Sequence, residues 1–198
     1  MARKAGIRAV YPQFAKLSDD RQATLARGAL PWRALWPRLA EKQKQLELIG
    51  LDRALTSIPE AGFSIDDRTV DGRYWYGARG MAGLDSGRAY VGVEKVDDVR
   101  KGTGRDTAAH ELTHLVHTVL SPAKKRRLDA MFEDAKARGR ILDPYSWQDV
   151  YEYFARGYEI WLSHQGDIAH EGVRPDVPPL LVKDRALYDC ITAATRGR

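Results

Sequence analysis

The 198-residue chain carries 32 Lys and Arg against 27 Asp and Glu, a formal charge of +5, with 43% apolar and 30% charged residues. These values suit a single domain, 1–198, large enough to bury a real core, with a helical N-terminal part over 1–58 and the remaining core over 59–198. A lone cysteine, Cys190, excludes an intrachain disulfide, and no apolar run reaches the length of a membrane span.

The N-terminal stretch MARKAGIRAVYPQF is basic and lacks the apolar core of a signal peptide. The compartment therefore stays open between the cytoplasm and export by a route or segment outside this chain. Residues 1–60 hold 11 basic against 6 acidic side chains, and Lys124–Arg140 holds 7 against 3. The run Lys124-Lys125-Arg126-Arg127 suits an anionic partner, but such a run is more often a solvated helix face.

In chain order, Ser18 followed by Asp19 and Asp20 marks a helix start and predicts a helix to about Leu30. Pro31 suits the first turn of a short second helix, and Pro37 restarts it. From Leu39 to about Ser57 the spacing of Leu48, Leu51, Leu55 and Ile58 predicts a further helix with one apolar stripe. Pro59 to Gly72 is turn-rich. Arg73–Arg79 and Arg88–Val96 are rich in aromatic and β-branched residues and predict two strands joined by a glycine-rich connection, Gly80 to Gly87. Arg88–Val96 is a candidate sheet edge on which an extended peptide pairs by strand addition; a plain hairpin is the alternative.

Lys101-Gly102-Thr103-Gly104 lacks phosphate-loop spacing and reads as the lead-in to a helix capped by Thr103 or Asp106. That helix, Thr107–Leu120, contains His110-Glu111-Leu112-Thr113-His114, an H-E-x-x-H pattern. Residues four apart lie one turn apart on one face, so His110 and His114 can address one Zn²⁺ ion, with Glu111 beside them as a base. The apolar flanks make the helix buried, and buried imidazoles and a carboxylate need a partner, which a metal supplies. His117 lies about 10 Å along the axis from His110, too far to share a tetrahedral ion, and is assigned to packing or support.

Ser121-Pro122 closes this helix and opens a basic one over 122–138, anchored by Leu128, Met131 and Phe132 and ended by Gly139. Ser146 with Asp149 resembles a capping box for a helix that Gly166 ends. Residues 172–179 are Pro-rich and irregular, and 180–195 form a closing helix packed through Leu181, Leu187, Cys190 and Ile191. A catalytic zinc takes a third protein ligand. On this reading Glu152 and Glu159, two turns apart on one helix face, are both candidates.

Here the chain resembles a known family. H-E-L-T-H, a tyrosine ahead of the next helix, and Glu152-Tyr153-Phe154-Ala155 look like the anthrax lethal factor-type zinc peptidases, a gluzincin family similar to the clostridial Pro-Pro endopeptidases. The resemblance is strongest over 73–164. It implies an α+β, zincin-like fold with N-terminal helices, a small sheet above the active-site helix, and C-terminal helices. It also implies that Glu152 is the third zinc ligand and that Tyr145, seven residues earlier, stands near the metal. One departure is Arg156, where many gluzincins have an acid supporting a zinc-bound histidine; Asp149 and Glu159 are the candidate substitutes.

The implied activity is a zinc-dependent endopeptidase acting on a protein or peptide held in extended form. His110, His114 and Glu152 hold Zn²⁺, Glu111 is the general base and Tyr145 donates a hydrogen bond to the developing oxyanion. Two rival classes are a non-catalytic protein-binding module of the same fold, which the intact Glu111 argues against, and a basic nucleic-acid-binding protein. The latter ranks last because no recognised DNA-reading motif is present. That the chain is the peptidase part of a toxin or effector is analogy alone.

Overall fold

The computed structural model describes residues 2–69, 72–140, 142–164 and 180–196, with backbone only for 2–5. The predicted helix end at Gly166 and the Pro-rich 172–179 segment lie outside the described residues. The fold is α+β and mostly helical, with one small sheet. Helices α1 (Ala2–Val10), α2 (Asp19–Ala29) and α3 (Trp36–Glu41) come first, with a 3-10 segment, Leu30–Leu35, bridging the last two. Then follow strands β1 (Gln45–Ile49), β2 (Gly80–Gly83) and β3 (Arg88–Gly92), and helices α4 (Val93–Arg100), α5 (Thr107–Val119), α6 (Pro122–Ala137), α7 (Val150–Ser163), α8 (Leu180–Lys183) and α9 (Arg185–Thr195).

The helix expected over 39–57 is not formed. Gln45-Leu46-Glu47-Leu48-Ile49 is a strand, so the 1–58 part is not wholly helical. Two-residue alternation of apolar and polar side chains competes there with the three-and-four spacing, and Gly50 ends any continuing helix. Leu46 and Leu48 face the main core, Leu55 and Ile58 enter a second cluster, and Leu51 is 76% exposed in the turn between them.

The sheet order is β1-β3-β2, with β1 parallel and β2 antiparallel to β3. This corrects three expectations. Residues 73–79 form a 3-10 turn at Trp75–Gly77 and no strand. The strand after it lies in the glycine-rich connection, where small residues are needed because β2 crosses close over α5. The Arg88–Val96 strand stops at Gly92, where α4 begins, and it is the central strand: both of its edges are hydrogen-bonded. Peptide pairing along 88–96 is therefore closed off.

Helix α5 is the axis of the main core. It packs on the sheet on one side and on α7 on the other, with α2 against its N-terminal half. Gly28 allows that last approach: a Cβ there would stand 3.1 Å from the Ala109 Cβ. The Tyr158 hydroxyl, buried, donates to the Gly28 carbonyl at 2.7 Å and ties α7 to α2. Trp32, fully buried, packs its ring 4.6 Å from that of Tyr158 and 5.8 Å from that of Phe154. One continuous apolar cluster thus runs from Ile7 to Ile191. The second cluster, around Ile49, Met81 and Tyr90, lies with Phe63 and Trp75.

Helix starts follow the local chemistry in most places. Asp106 caps α5 and Ser121 caps α6, each accepting a backbone N–H from three residues on. The capping box expected at Ser146 is absent. Ser146 is buried in a 3-10 turn and exchanges hydrogen bonds with Asp143, while Asp149 caps α7. The closing helix is broken at Asp184, whose carboxylate accepts from Leu187 N–H at 3.1 Å and Tyr153 hydroxyl at 2.6 Å. Leu180 is buried in place of Leu181, which is exposed, while Leu187 and Ile191 are buried and Cys190 packs against the core from a partly buried position.

Candidate metal centre

Helices α5 and α7 bring the site together. Asp106 Oδ1 accepts the Ala109 N–H at 2.9 Å and fixes the first turn of α5 just ahead of His110. Asp149 Oδ1 accepts the Glu152 N–H at 2.8 Å, which places Glu152 in the first turn of α7, at the positive end of that helix. His110, His114 and Glu152 then converge, each offering one ligand atom within 4.8 Å of the others.

The finer distances are informative. His110 Nε2 lies 3.2 Å from Glu152 Oε2 and 3.2 Å from His114 Nε2, and His114 Nε2 lies 3.4 Å from Glu152 Oε1. Ligand atoms bound tetrahedrally at about 2.0–2.1 Å stand about 3.3 Å apart. Protons account for the two His–Glu pairs, but they leave two Nε2–H groups facing each other across the histidine pair. A cation shared by all three atoms removes that conflict. The donor set, two imidazoles and one carboxylate, fits zinc.

The electrostatics agree. Burial pushes the Glu152 carboxyl up, but hydrogen bonds from His110 and His114 outweigh it and hold it at about 2. Burial pushes His110 down, but Glu152 and Glu159 outweigh that and drive it up to about 10. The pocket thus favours positive charge between its carboxylates. Glu111 is buried beside these three side chains, its Oε2 4.0 Å from His114 Nε2, and burial raises its pKa above the ordinary range. A carboxylate so raised is better matched to taking a proton near neutral pH.

Glu159 is not gathered with the three ligand atoms. Its Oε2 sits 3.5 Å from His110 Nδ1, on the far side of the ring from Glu152, where it orients the imidazole. Arg156, the apparent departure, compensates the buried Glu159 with an ion pair at 2.6 Å, and its Nε donates to Asp143 Oδ2 at 2.6 Å. Asp149 is occupied as the cap of α7. His117 is 3% exposed, packs its ring 4.6 Å from that of Tyr151 and has no hydrogen-bond partner among the described residues. Burial pushes it down to about 4, so it sits neutral in the core, away from the ligand group.

Tyr145 is half-buried in the 3-10 turn before α7 and faces the clefts shared by His110 and Glu111. Arg73 Nη2 approaches its hydroxyl at 3.4 Å. Strand β2 passes directly over the site: a Cβ on Gly80 would stand 2.5 Å from Thr107 Cγ2 and 2.9 Å from Glu111 Oε1. Its outer edge is unpaired by other strands among the described residues, so the accessible backbone edge beside the site belongs to β2. Sequence reasoning missed β2, since glycines ordinarily weaken strands. It also missed Asp143, whose tie to Arg156 leaves no local sequence signal.

Comparison with protein-family models, with curated proteins and with solved structures finds no match to this chain. The functional reading rests on the side chains themselves. Among the described residues no helix is long and apolar enough to cross a membrane. Lys124, Arg126 and Arg127 lie exposed along α6, with Leu128 and Phe132 buried beneath.

Proposed function

We propose that the protein is a zinc-dependent endopeptidase, with His110, His114 and Glu152 holding the ion. The observation that carries this is the near-equal 3.2–3.4 Å spacing of the three donor atoms, with buried Glu111 beside them. Zinc bound there supplies a Lewis acid that activates water and polarises a scissile carbonyl. Glu111 takes the proton of the attacking water and passes it to the leaving amine. Tyr145 donates its hydroxyl proton in a hydrogen bond to the carbonyl oxygen as charge develops. Glu159 holds the His110 ring through Nδ1, and Arg156 keeps Glu159 ionised. The β2 edge gives an extended peptide a backbone to pair with.

A zincin-like fold and kinship with the lethal factor-type peptidases belong to the same proposal. They are supported by a helical H-E-L-T-H beneath a small sheet, a glutamate from a following helix and a tyrosine seven residues before it.

Cleavage of a diverse peptide library by zinc-loaded protein, read by mass spectrometry beside two variants, tests the reading. Glu111→Gln is expected to keep zinc and lose hydrolysis. Tyr145→Phe is expected to keep zinc and lower turnover by about 10²-fold, the scale of one oxyanion donor. Wild-type turnover in Glu111→Gln would remove the base assignment, and zinc loss from Tyr145→Phe would make that residue a ligand or a structural support.

A further inference from the structure

The two clefts that meet at the ligand group differ in chemistry. One, of about 250 Å³, is lined by Arg73, Arg79, Lys95 and Arg105 and opens onto His110, Glu111 and Tyr145. The other reaches the same three residues from Phe63, Trp75, Met81 and Tyr151. Phe63 and Trp75 stack there with ring centroids 3.9 Å apart. Gly80 borders both clefts, so β2 spans the junction.

Arg73 donates to the Tyr145 hydroxyl at 3.4 Å, and the other three cations are committed to different degrees. Arg79 is structural: it pairs with Glu94 at 2.6 Å and donates to the carbonyls of Arg53 at 2.6 Å and Gly50 at 2.9 Å. Arg105 reaches Asp143 only at 3.7 Å, and Asp143 already holds Arg156 at 2.6 Å. Lys95 meets Asp98 at 3.6 Å. These two long pairs have cation side chains 45% and 38% exposed. Such long, solvent-exposed pairs contribute little, so both cations exchange readily onto an incoming anion. Glu111 and Glu159 are the acids among the lining residues. Both stand at the ligand end, and Glu159 is answered by Arg156.

Strand β2 sets a direction. It runs from Gly80, beside the cationic cleft, towards Gly83, on the aromatic side. A peptide adding to its free edge in the antiparallel sense, the more stable one per residue, runs the opposite way. Its N-terminal part then lies over the aromatic cleft and its C-terminal part over the cationic one.

We propose that the cleft holding Lys95 and Arg105 receives a substrate carboxylate located C-terminal to the scissile bond, with an apolar side chain N-terminal to that bond in the Phe63–Trp75 cleft. The carboxylate comes from an Asp or Glu side chain or from the substrate's own C-terminus. This rests on the peptidase reading above.

The test uses the full zinc-loaded chain on a proteome-derived peptide library, with free and with amidated C-termini, beside the Lys95→Glu/Arg105→Glu double variant. The expected result is cuts followed by a carboxylate, and a drop of about tenfold in kcat/KM on those substrates in the variant, carried by KM. Preference that survives amidation assigns the side-chain source; preference lost on amidation assigns the terminal one. Cleavage with no carboxylate preference, or with a preference that charge reversal leaves unmoved, overturns the cleft assignment and leaves the peptidase reading standing. Absence of any cleavage counts against the peptidase reading, and capture of the same library on zinc-loaded Glu111→Gln protein then decides the cleft. Enrichment of acidic peptides that charge reversal abolishes keeps a carboxylate site; no enrichment overturns it.

Discussion

Among individual side chains, the centre is a chain of charges, Glu152–His110–Glu159–Arg156–Asp143, in which each group answers its neighbour and only Glu159 and Arg156 are buried. His110, Glu111 and His114 are legible from spacing alone, because four residues are one helical turn. Glu152 is not: spacing leaves it level with Glu159, and only the packing of α7 on α5 turns one carboxylate to Nε2 and the other to Nδ1. That division makes a prediction. Glu159→Gln removes the acceptor charge behind His110 while sparing all three proposed ligands, so zinc affinity is expected to fall by about 10–100-fold, the usual effect of losing such a partner. Competition against a chromophoric chelator measures it. Unchanged affinity would mean that Glu159 only balances Arg156.

At the element scale, the site depends on how closely β2 approaches α5. Gly80 is needed there for space, since any Cβ meets Thr107 and Glu111. Gly80→Ala is expected to cost about 1–3 kcal/mol, as overpacking does, and, on the peptidase proposal, to slow hydrolysis, because the groups displaced are the Thr107 methyl and the Glu111 carboxylate. Gly77, where a Cβ meets nothing within 4 Å, is the control. Thermal melts and turnover of both variants check this, and equal behaviour of the two would show that β2 yields without disturbing Glu111. Elements with strong end signals, such as α5 behind Asp106 and α6 behind Ser121, were readable in the sequence. The strand β1 and the edge β2 were not. One hides inside a spurious helical spacing, and the other is built of residues with poor strand preference, held only by pairing with β3.

At the scale of the whole molecule, stability runs through the single apolar cluster that joins the N-terminal helices to α5 and α7. His117 packs beside Phe154 of that cluster, without a hydrogen-bond partner among the described residues, its pKa pushed from the ordinary 6.5 down to about 4 by burial. The unfolded chain therefore binds a proton more readily than the folded one between these values. Its contribution is fully present above pH 6.5 and is lost as pH falls towards 4. His117→Gln, which cannot titrate, is expected to flatten that part of the curve of Tm against pH. An unchanged acid slope would assign it to other groups.

Residue spacing is enough to place two imidazoles one turn apart on a buried helix with a carboxylate beside them, and a glutamate with a tyrosine before it on a later helix. Helical periodicity is local, so those relations survive without knowledge of the rest. The fold brings Glu152, the glutamate that the resemblance implied, to the histidines, and only the fold decides which strand stands at the edge beside them and that Lys95 and Arg105 share one cleft. These depend on contacts between residues far apart in the chain, set by the total burial of the core and by no short stretch within it.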